Sequence, residues 1–453
     1  MSHAKIMKEK PSERGQALIF LVLGMVTLFG FTALAVDGGM VYADRRQAQN
    51  ASDASSLAGG SVAALYLENH NVNYVNWNCA ENVIGALNEA ETSAIARGGD
   101  NGYGLDDDIS DNNGAEASCE LFNNGSWIDR YIDVRSVITA ETETSLAHFV
   151  FPGPLRYTVD AITRIRPRTP LAYGNAIVAL DETANCNGNQ NGVLFGGSIT
   201  VNVHGGGIFS NGCLSGNGNG LVVNVEPGSI AHVGQYVNTH SGTLSPAPDQ
   251  ATGGILPPNS YKVNPPDCSQ VSHYGSPSDA YRNNSGGAIP PGNYTSIKLS
   301  SDAKLLGGGL YCLYGDFNAG NNGLTINTSN GKQGATIYMI SGGFTTDGNG
   351  QVALSAPPAH PDPSPAIPGI LLYLAENNPG LVKLRGNSSS SYIGTILAPA
   401  GTIDVAGTSD HDADDFNTQL VGKNVVIGGN ADIEINFKGT ELYMAPSQLE
   451  LAK

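Results

Sequence analysis

The chain is 453 residues long, carries a formal net charge of -18, is only 14% charged and contains 58 glycines. That length exceeds one ordinary core and points to two or three domains, while a Gly content well above the usual ~7%, without a Gly-X-Y period, excludes collagen and favours a mostly β chain. No Lys or Arg occurs from Thr169 to Tyr261, so the distal chain lacks the clustered cations that nucleic-acid binding needs, and that partner is set aside.

Residues 1–15 carry Lys5, Lys8, Lys10 and Arg14 against Glu9 and Glu13, a short basic flank of the kind retained in the cytoplasm. Residues 16–36 follow as a predicted transmembrane helix. Positions 17–36 hold no charge, and about 20 apolar residues at ~1.5 Å each cover the ~30 Å hydrocarbon core. Ala33-Leu34-Ala35 has the small-x-small form of a signal-peptidase site, so a cleaved, soluble form is the rival reading. Beyond Val36 the helical period continues through Ala48, Ala51, Ser55, Ala58, Val62 and Leu65. Ala80, Val83, Leu87, Ala90 and Ala94 repeat that spacing. Two closely packed helices are expected just outside the membrane.

A family resemblance rests on Arg14, Gly15, Gln16, Asp37, Tyr42, Arg45, Gln49, Ala51, Asp53, Ala54, Leu57, Ala58 and Gly59. Their order (basic-Gly-Gln, apolar span, Asp, then Arg-x-x-x-Gln and Ala-x-Asp-Ala-x-x-Leu-Ala-Gly) resembles the TadG-like N-terminal segment of tight-adherence (Flp) pilus-assembly proteins of the TadE/TadG type. Processed pilin relatives carry Glu five residues after the cleaved Gly, where this chain has Phe20, so the resemblance does not extend to pilin-like processing. It implies a protein of the bacterial cell membrane with other pilus-assembly proteins as partners. It implies no catalytic residue.

The second helix is expected over residues 77–97, stopped by Gly98-Gly99. Residues 98–126 read as loop, and the spacing of Asp106, Asp107, Asp108 and Asp111 does not fit a calcium loop, so a solvated acidic loop is expected. Alternation over 132–139 and 157–165 predicts strands, with a short apolar helical turn over 145–151 between them. These pieces complete a small α+β juxtamembrane domain over 37–168, bounded by Pro167 and Pro170.

Residues 169–453 change character. Short β-rich pieces alternate with Gly and Asn, without a helix of ten residues, and predict a β-solenoid-like domain of the right-handed β-helix type, with a β-sandwich as alternative. Pro-rich stretches at 244–266 and 357–368 cannot pair as central strands and are expected as extended loops thrown out from the stack. Gly216-Asn217-Gly218-Asn219-Gly220 lacks the Lys of a phosphate loop and reads as a turn.

Cys79, Cys119, Cys186, Cys213, Cys268 and Cys312 all lie beyond the apolar span, none in Cys-x-x-Cys spacing. Disulfides in an oxidising compartment fit better than metal or redox chemistry. Sequence leaves about 15 pairings open; Cys79/Cys119, Cys186/Cys213 and Cys268/Cys312 are the sequence-local set. No nucleophile elbow, zinc helix or nucleotide loop occurs, and no metal or cofactor is expected. The densest carboxylate group is Asp404, Asp410, His411, Asp412, Asp414 and Asp415, with only Lys383, Arg385 and Lys423 nearby to hold an anionic sugar. It is read as a solvated loop.

The expectation is a non-enzymatic, single-pass cell-envelope protein of a tight-adherence system. Its N-terminus is cytoplasmic and its β domain periplasmic or extracellular. The alternative is a surface adhesin with a surface glycan as partner, followed by a polysaccharide-active β-helix enzyme.

Overall fold

A computed structural model describes residues 14–146, 153–186, 192–240, 242–274, 281–283, 288–328, 331–360, 363–387, 389–407, 416–429 and 431–452. Helix α1 (Arg14–Asn69) runs unbroken for 56 residues, about 84 Å at ~1.5 Å per residue. Its apolar first half is bare, Leu28 and Phe29 being each 68% exposed. Among the described residues it is the one helix long and apolar enough to cross a membrane, with a mean hydropathy of 2.4.

The second half of α1 is buried along Ala48, Ala51, Ser52, Ser55, Ser56, Gly59, Gly60, Ala63 and Leu67. This face leaves the expected seam after Ser55: Ala58 and Val62 are half-buried and Leu65 is exposed. The reason is geometric. A 3-4-3-4 pattern has a period of 3.5, whereas a straight helix turns once per 3.6 residues and drifts ~20° per heptad. Helix α2 (Ile84–Asp100) buries Ala86, Ala90, Ala94 and Gly98. It starts later than expected and runs through Gly98-Gly99, because Leu105 folds back onto Gly98 so closely that a Cβ there would lie 2.4 Å from its Cδ1.

Both helices pack on an antiparallel sheet of β1 (Gly114–Asn123), β2 (Ile128–Thr142) and β3 (Leu155–Arg166). Strand β1 corrects the loop expected over 98–126. It pairs with β2 from Gly114↔Val137 to Asn123↔Ile128, so cross-strand pairing overrides the weak β propensity of its Gly, Glu, Ala and Asn. Before it, Asp106, Asp108 and Asp111 each accept a backbone N–H two residues on. Ser145 and Leu146 are in bends; the rest of the expected helical turn lies largely outside the described residues.

From Asn175–Ala179 to Ile433–Asn436 the chain forms a 27-stranded sheet among the described residues. Its pairings are all parallel, which sets aside a sandwich, whose sheets are antiparallel. Most strands pair with the strand three places further on, as Thr200–His204 does with Val222–Glu226 and Gly309–Leu313 with Ala335–Met339. The chain therefore visits three columns in turn. Alternating side chains such as Val201, Val203, Val223 and Val225 point into one apolar core.

The order of stacking is not the order of the chain. Asn175–Ala179 and Val193–Gly196 lie on Phe416–Gly429 through Leu420↔Ile177 and Val425↔Val193, and Thr200–His204 lies on Ile433–Asn436 through Ile433↔Val201. The chain enters in the middle, winds outward to Asp249–Gln250, crosses back over 251–272, and winds inward from His273–Tyr274 to the middle again.

The Pro-rich stretches are not thrown out. The first contributes strands Thr243–Ser245 and Asp249–Gln250 and then buries Leu256 and Val263. Leu256 N donates to Asn211 Oδ1 at 2.9 Å, and Tyr373 Oη to the Val263 carbonyl at 2.9 Å. The second buries Ala366, and Ile367 N donates to Thr336 Oγ1 at 3.0 Å. Both cover one column whose strands Gly309–Leu313, Ala335–Met339 and Ile370–Leu374 are buried at every position. Apolar on both sides, that column needs an outer layer, and Pro-rich chain supplies one with little conformational entropy left to lose.

The body closes through a neck. Thr169–Pro170 pairs antiparallel with Met444–Ala445, and the C-terminal strand Gln448–Leu451 joins the first sheet beside β3. Residues 448–451 thus belong to the first sheet, although they follow the parallel sheet in the chain.

These pairings predict the behaviour of a nicked chain. Cleavage at a protease site inserted after the exposed Asn259 yields two fragments that share none of the disulfides Cys79–Cys119, Cys186–Cys213 and Cys268–Cys312. They are expected to co-elute in native size-exclusion chromatography and to part only in denaturant. Separation under native conditions would show that Asn175–Ala179 does not rest on Phe416–Gly429.

Candidate functional site

The family-motif residues sort by the side of α1 they occupy. Asp37, one residue past the uncharged run, is buried, and its carboxylate accepts backbone N–H groups from Ser145 at 3.0 Å and Leu146 at 3.0 Å. One helical turn pair on, Asp44 accepts from Thr142 Oγ1 at 2.7 Å. Gln49 donates to Asp53 Oδ1 at 2.8 Å and to the Asp160 carbonyl at 3.2 Å. The helix is thus bonded to the end of β2, to the residues just after it and to the middle of β3.

Close approach does the rest. Ser52 Oγ donates to the Ser136 carbonyl at 2.7 Å, Ser55 Oγ to the Ala94 carbonyl at 2.6 Å, and Thr163 Oγ1 to Ser56 Oγ at 3.0 Å. A Cβ on Gly59 would lie 2.6 Å from the Ala90 carbonyl oxygen and 2.8 Å from Val134 Cγ1; one on Gly60 would lie 2.5 Å from Thr163 Cγ2. Neither neighbour is the loose end of a flexible chain, so both positions require glycine.

Asp37, Gln49, Asp53 and Gly59 therefore form one packing surface. Tyr42 and Arg45 are exposed on α1, Leu57 is 39% exposed, and Gly15 and Gln16 lie in its first turn. Sequence reasoning missed Asp44, Ser52, Ser56 and Gly60. The signal was present in the spacing of 52, 56 and 60, which keeps small residues on one face at nearly the true helical period.

The six cysteines are joined as Cys79–Cys119, Cys186–Cys213 and Cys268–Cys312, with Cα separations of 5.7, 5.2 and 6.1 Å. The first ties the α1–α2 connection to β1. The third ties the crossing segment to Gly309–Leu313. At the neck, Arg166 binds Asp129 and Glu450, and Arg164 binds Asp133 through two 2.8 Å bonds while lying 3.8 Å over the Tyr131 ring. Burial, ahead of nearby charges, pushes Tyr74 up to about 12; its hydroxyl stays neutral and donates to the Ile128 carbonyl at 2.7 Å.

Of the carboxylate group, Asp404 accepts from Arg385 Nη2 at 2.9 Å on both oxygens; Asp410, His411, Asp412, Asp414 and Asp415 lie outside the described residues. Lys383 pairs with Asp347 at 2.9 Å and Lys423 with Asp181 at 3.9 Å. A cleft of ≈ 640 Å³ opens between the crossing segment at Tyr261 and the turns holding Glu182 and Glu376.

Packing at Gly59 is open to a direct test. Gly59→Ala is expected to cost ~1–3 kcal/mol by overpacking. Ala58→Ser, at a half-buried neighbour, is expected to stay within about 0.5 kcal/mol. Thermal unfolding of the detergent-solubilised full chain, followed by circular dichroism, separates the two; equal losses would mean that the α1–α2 contact is not made at Gly59.

No curated protein and no solved structure matches the chain. A family model does, described as putative Flp pilus-assembly TadE/G-like, over residues 15–64. That stretch holds the apolar run together with Asp37, Gln49, Asp53 and Gly59, and fits a membrane-associated protein of pilus assembly. Over residues 15–64 the chain is similar to the TadE/G-like Flp pilus-assembly family.

Proposed function

We propose that the chain is a non-enzymatic, single-pass component of a bacterial tight-adherence pilus-assembly system, with a cytoplasmic N-terminus and a periplasmic or extracellular β body. The observation that carries this reading is the coincidence of two boundaries: the stretch matched by the family model is the stretch that both offers a bare apolar helix and locks it to the first sheet. Such a segment transmits the position of the membrane to whatever it carries. Three disulfides fit an oxidising compartment. Arg385 bonds both oxygens of Asp404, which favours a structural role for this carboxylate.

We read the body as a right-handed β-solenoid, supported by parallel pairing at three-strand intervals and by a single core running through the stack. The unit formed by residues 37–168 with 448–451 presents it above the membrane.

A second reading, a glycan-binding adhesin, is favoured by the cleft at Tyr261. An aromatic ring flanked by Glu182, Glu376 and Asn377 is the mixture of flat apolar surface and hydrogen-bonding groups that suits a sugar. Glycan-array binding of the full chain that is lost in Glu182→Gln plus Glu376→Gln would establish it.

The main reading is tested by fractionation. The intact chain is expected to remain in membranes after alkaline extraction and to lose its β body to protease added from outside. A soluble form starting at Val36 would replace the anchor with a cleaved signal. Pull-down with the other assembly proteins is expected to weaken for Ala51→Leu, which overpacks the α1 face, and to persist for Asp404→Asn.

A further inference from the structure

We infer that the cleft at Tyr261 is a trough for a linear, amine-bearing oligosaccharide laid along the axis of the parallel body, its ammonium groups received by Glu182 and Glu376. The inference rests on the glycan-binding reading of that cleft and adds the direction, length and charge of the ligand.

Direction follows from strand register. Tyr373, Leu397, Val421 and Val178 form one row across four neighbouring passes of the chain. A few residues further on, the same four passes carry Glu376, Ala400, Lys423 and Glu182, all lining the cleft. Three steps of ~4.8 Å place Glu376 and Glu182 about 14 Å apart along the stack. The crossing segment forms the other wall and runs the same way: Leu256 N is bonded to Asn211, the Val263 carbonyl to Tyr373, and Cys268 to Cys312. A trough of ≈ 640 Å³ with carboxylates at both ends suits a short oligomer rather than a single sugar.

Charge selects the ligand. Asp181 and Lys423 offset each other at 3.9 Å. Among the described residues, Glu182 and Glu376 have neither an ion-pair nor a hydrogen-bond partner, and both are exposed. The remaining cation, Lys262, is exposed on the rim between the half-buried Tyr261 and the buried Val263. Burial, then the Glu182 charge, pushes the Tyr261 hydroxyl up; burial, then Tyr338 and Glu376, does the same for Tyr373. Each carboxylate is thus felt inside the cleft rather than turned away from it. Ionised carboxylates accept and cannot donate, so a ligand has to bring donors, and cationic donors bind them best.

The walls favour a sugar over a peptide. Each of the four strands is already paired on both sides, so the trough offers no strand edge to an extended backbone. A sugar ring instead presents hydroxyls to the carboxylates and an apolar face to Tyr261 and Pro399.

Isothermal titration calorimetry of the detergent-solubilised full chain tests this with a glucosamine trimer, its N-acetylated counterpart, a galacturonate trimer, glucosamine itself, and trilysine as a peptide of matching charge. The glucosamine trimer is expected to bind about tenfold tighter than the N-acetylated one, and the galacturonate trimer and the monomer not measurably. Glu182→Gln and Glu376→Gln are each expected to weaken the glucosamine trimer several-fold, and added salt to shrink its advantage. Equal affinity for the glucosamine and N-acetylated trimers overturns the charge selection and leaves the glycan reading standing. Binding of the galacturonate trimer as tightly as either does the same. Trilysine binding as tightly as the glucosamine trimer overturns the sugar class, and binding of no trimer removes the inference and the glycan reading together.

Discussion

The structure depends on one adjacency: the strand on which the parallel body begins lies against the strands on which it ends. Leu420↔Ile177, Val425↔Val193 and Ile433↔Val201 bring residues more than 230 positions apart into register, and Phe437 N donates to the His204 carbonyl at 2.7 Å. Because entrance and exit are neighbours, the body can be inserted between β3 and Gln448–Leu451 without disturbing either. The antiparallel sheet closes over the insertion, and Arg166 spans the junction by binding Asp129 from one side and Glu450 from the other.

That arrangement requires a return path, and the return path explains the Pro-rich chain. A body that starts in the middle must cross its own length once, over 251–272. The crossing segment is held at both ends and between. Ser126 Oγ donates to the Gly254 carbonyl, Tyr373 Oη to the Val263 carbonyl, and Cys268 is bonded to Cys312. In return it covers Phe209, Leu310, Tyr338 and Val421, which would otherwise leave an apolar wall in water. One segment solves a problem of connection and a problem of burial.

The sequence discloses what is local and conceals what is not. The bare apolar run, the strand alternation at 132–139 and 157–165 and the small residues at 48, 51 and 55 are periodic, and the structure has them. Strand β1 escaped because its residues are poor strand formers that pair only because β2 is already there. The drift of the α1 face past Ser55 escaped because a 3.5 and a 3.6 period differ by too little to separate over two turns. No local pattern reports that Ile177 will lie on Leu420. In the anchor region the motif residues were visible, yet their shared role as a packing surface needed the positions of Ala90, Val134 and Ser145.

Gly38-Gly39 shows why the contact at Asp37 matters beyond its own two hydrogen bonds. Both glycines are helical, and a Cβ on either would meet nothing within 4 Å, so no neighbour demands them. Each weakens an exposed helix by ~1 kcal/mol relative to Ala, and together they place the softest turn of α1 just past the end of its apolar run. A helix free to bend there would let the head swing about its anchor. Asp37, immediately before the pair, and Asp44, shortly after it, both bond to the end of β2 or the residues following it. The sheet therefore braces α1 across its weakest turn, and the orientation of the apolar half of α1 relative to the first sheet is set by that brace rather than by helix stiffness alone.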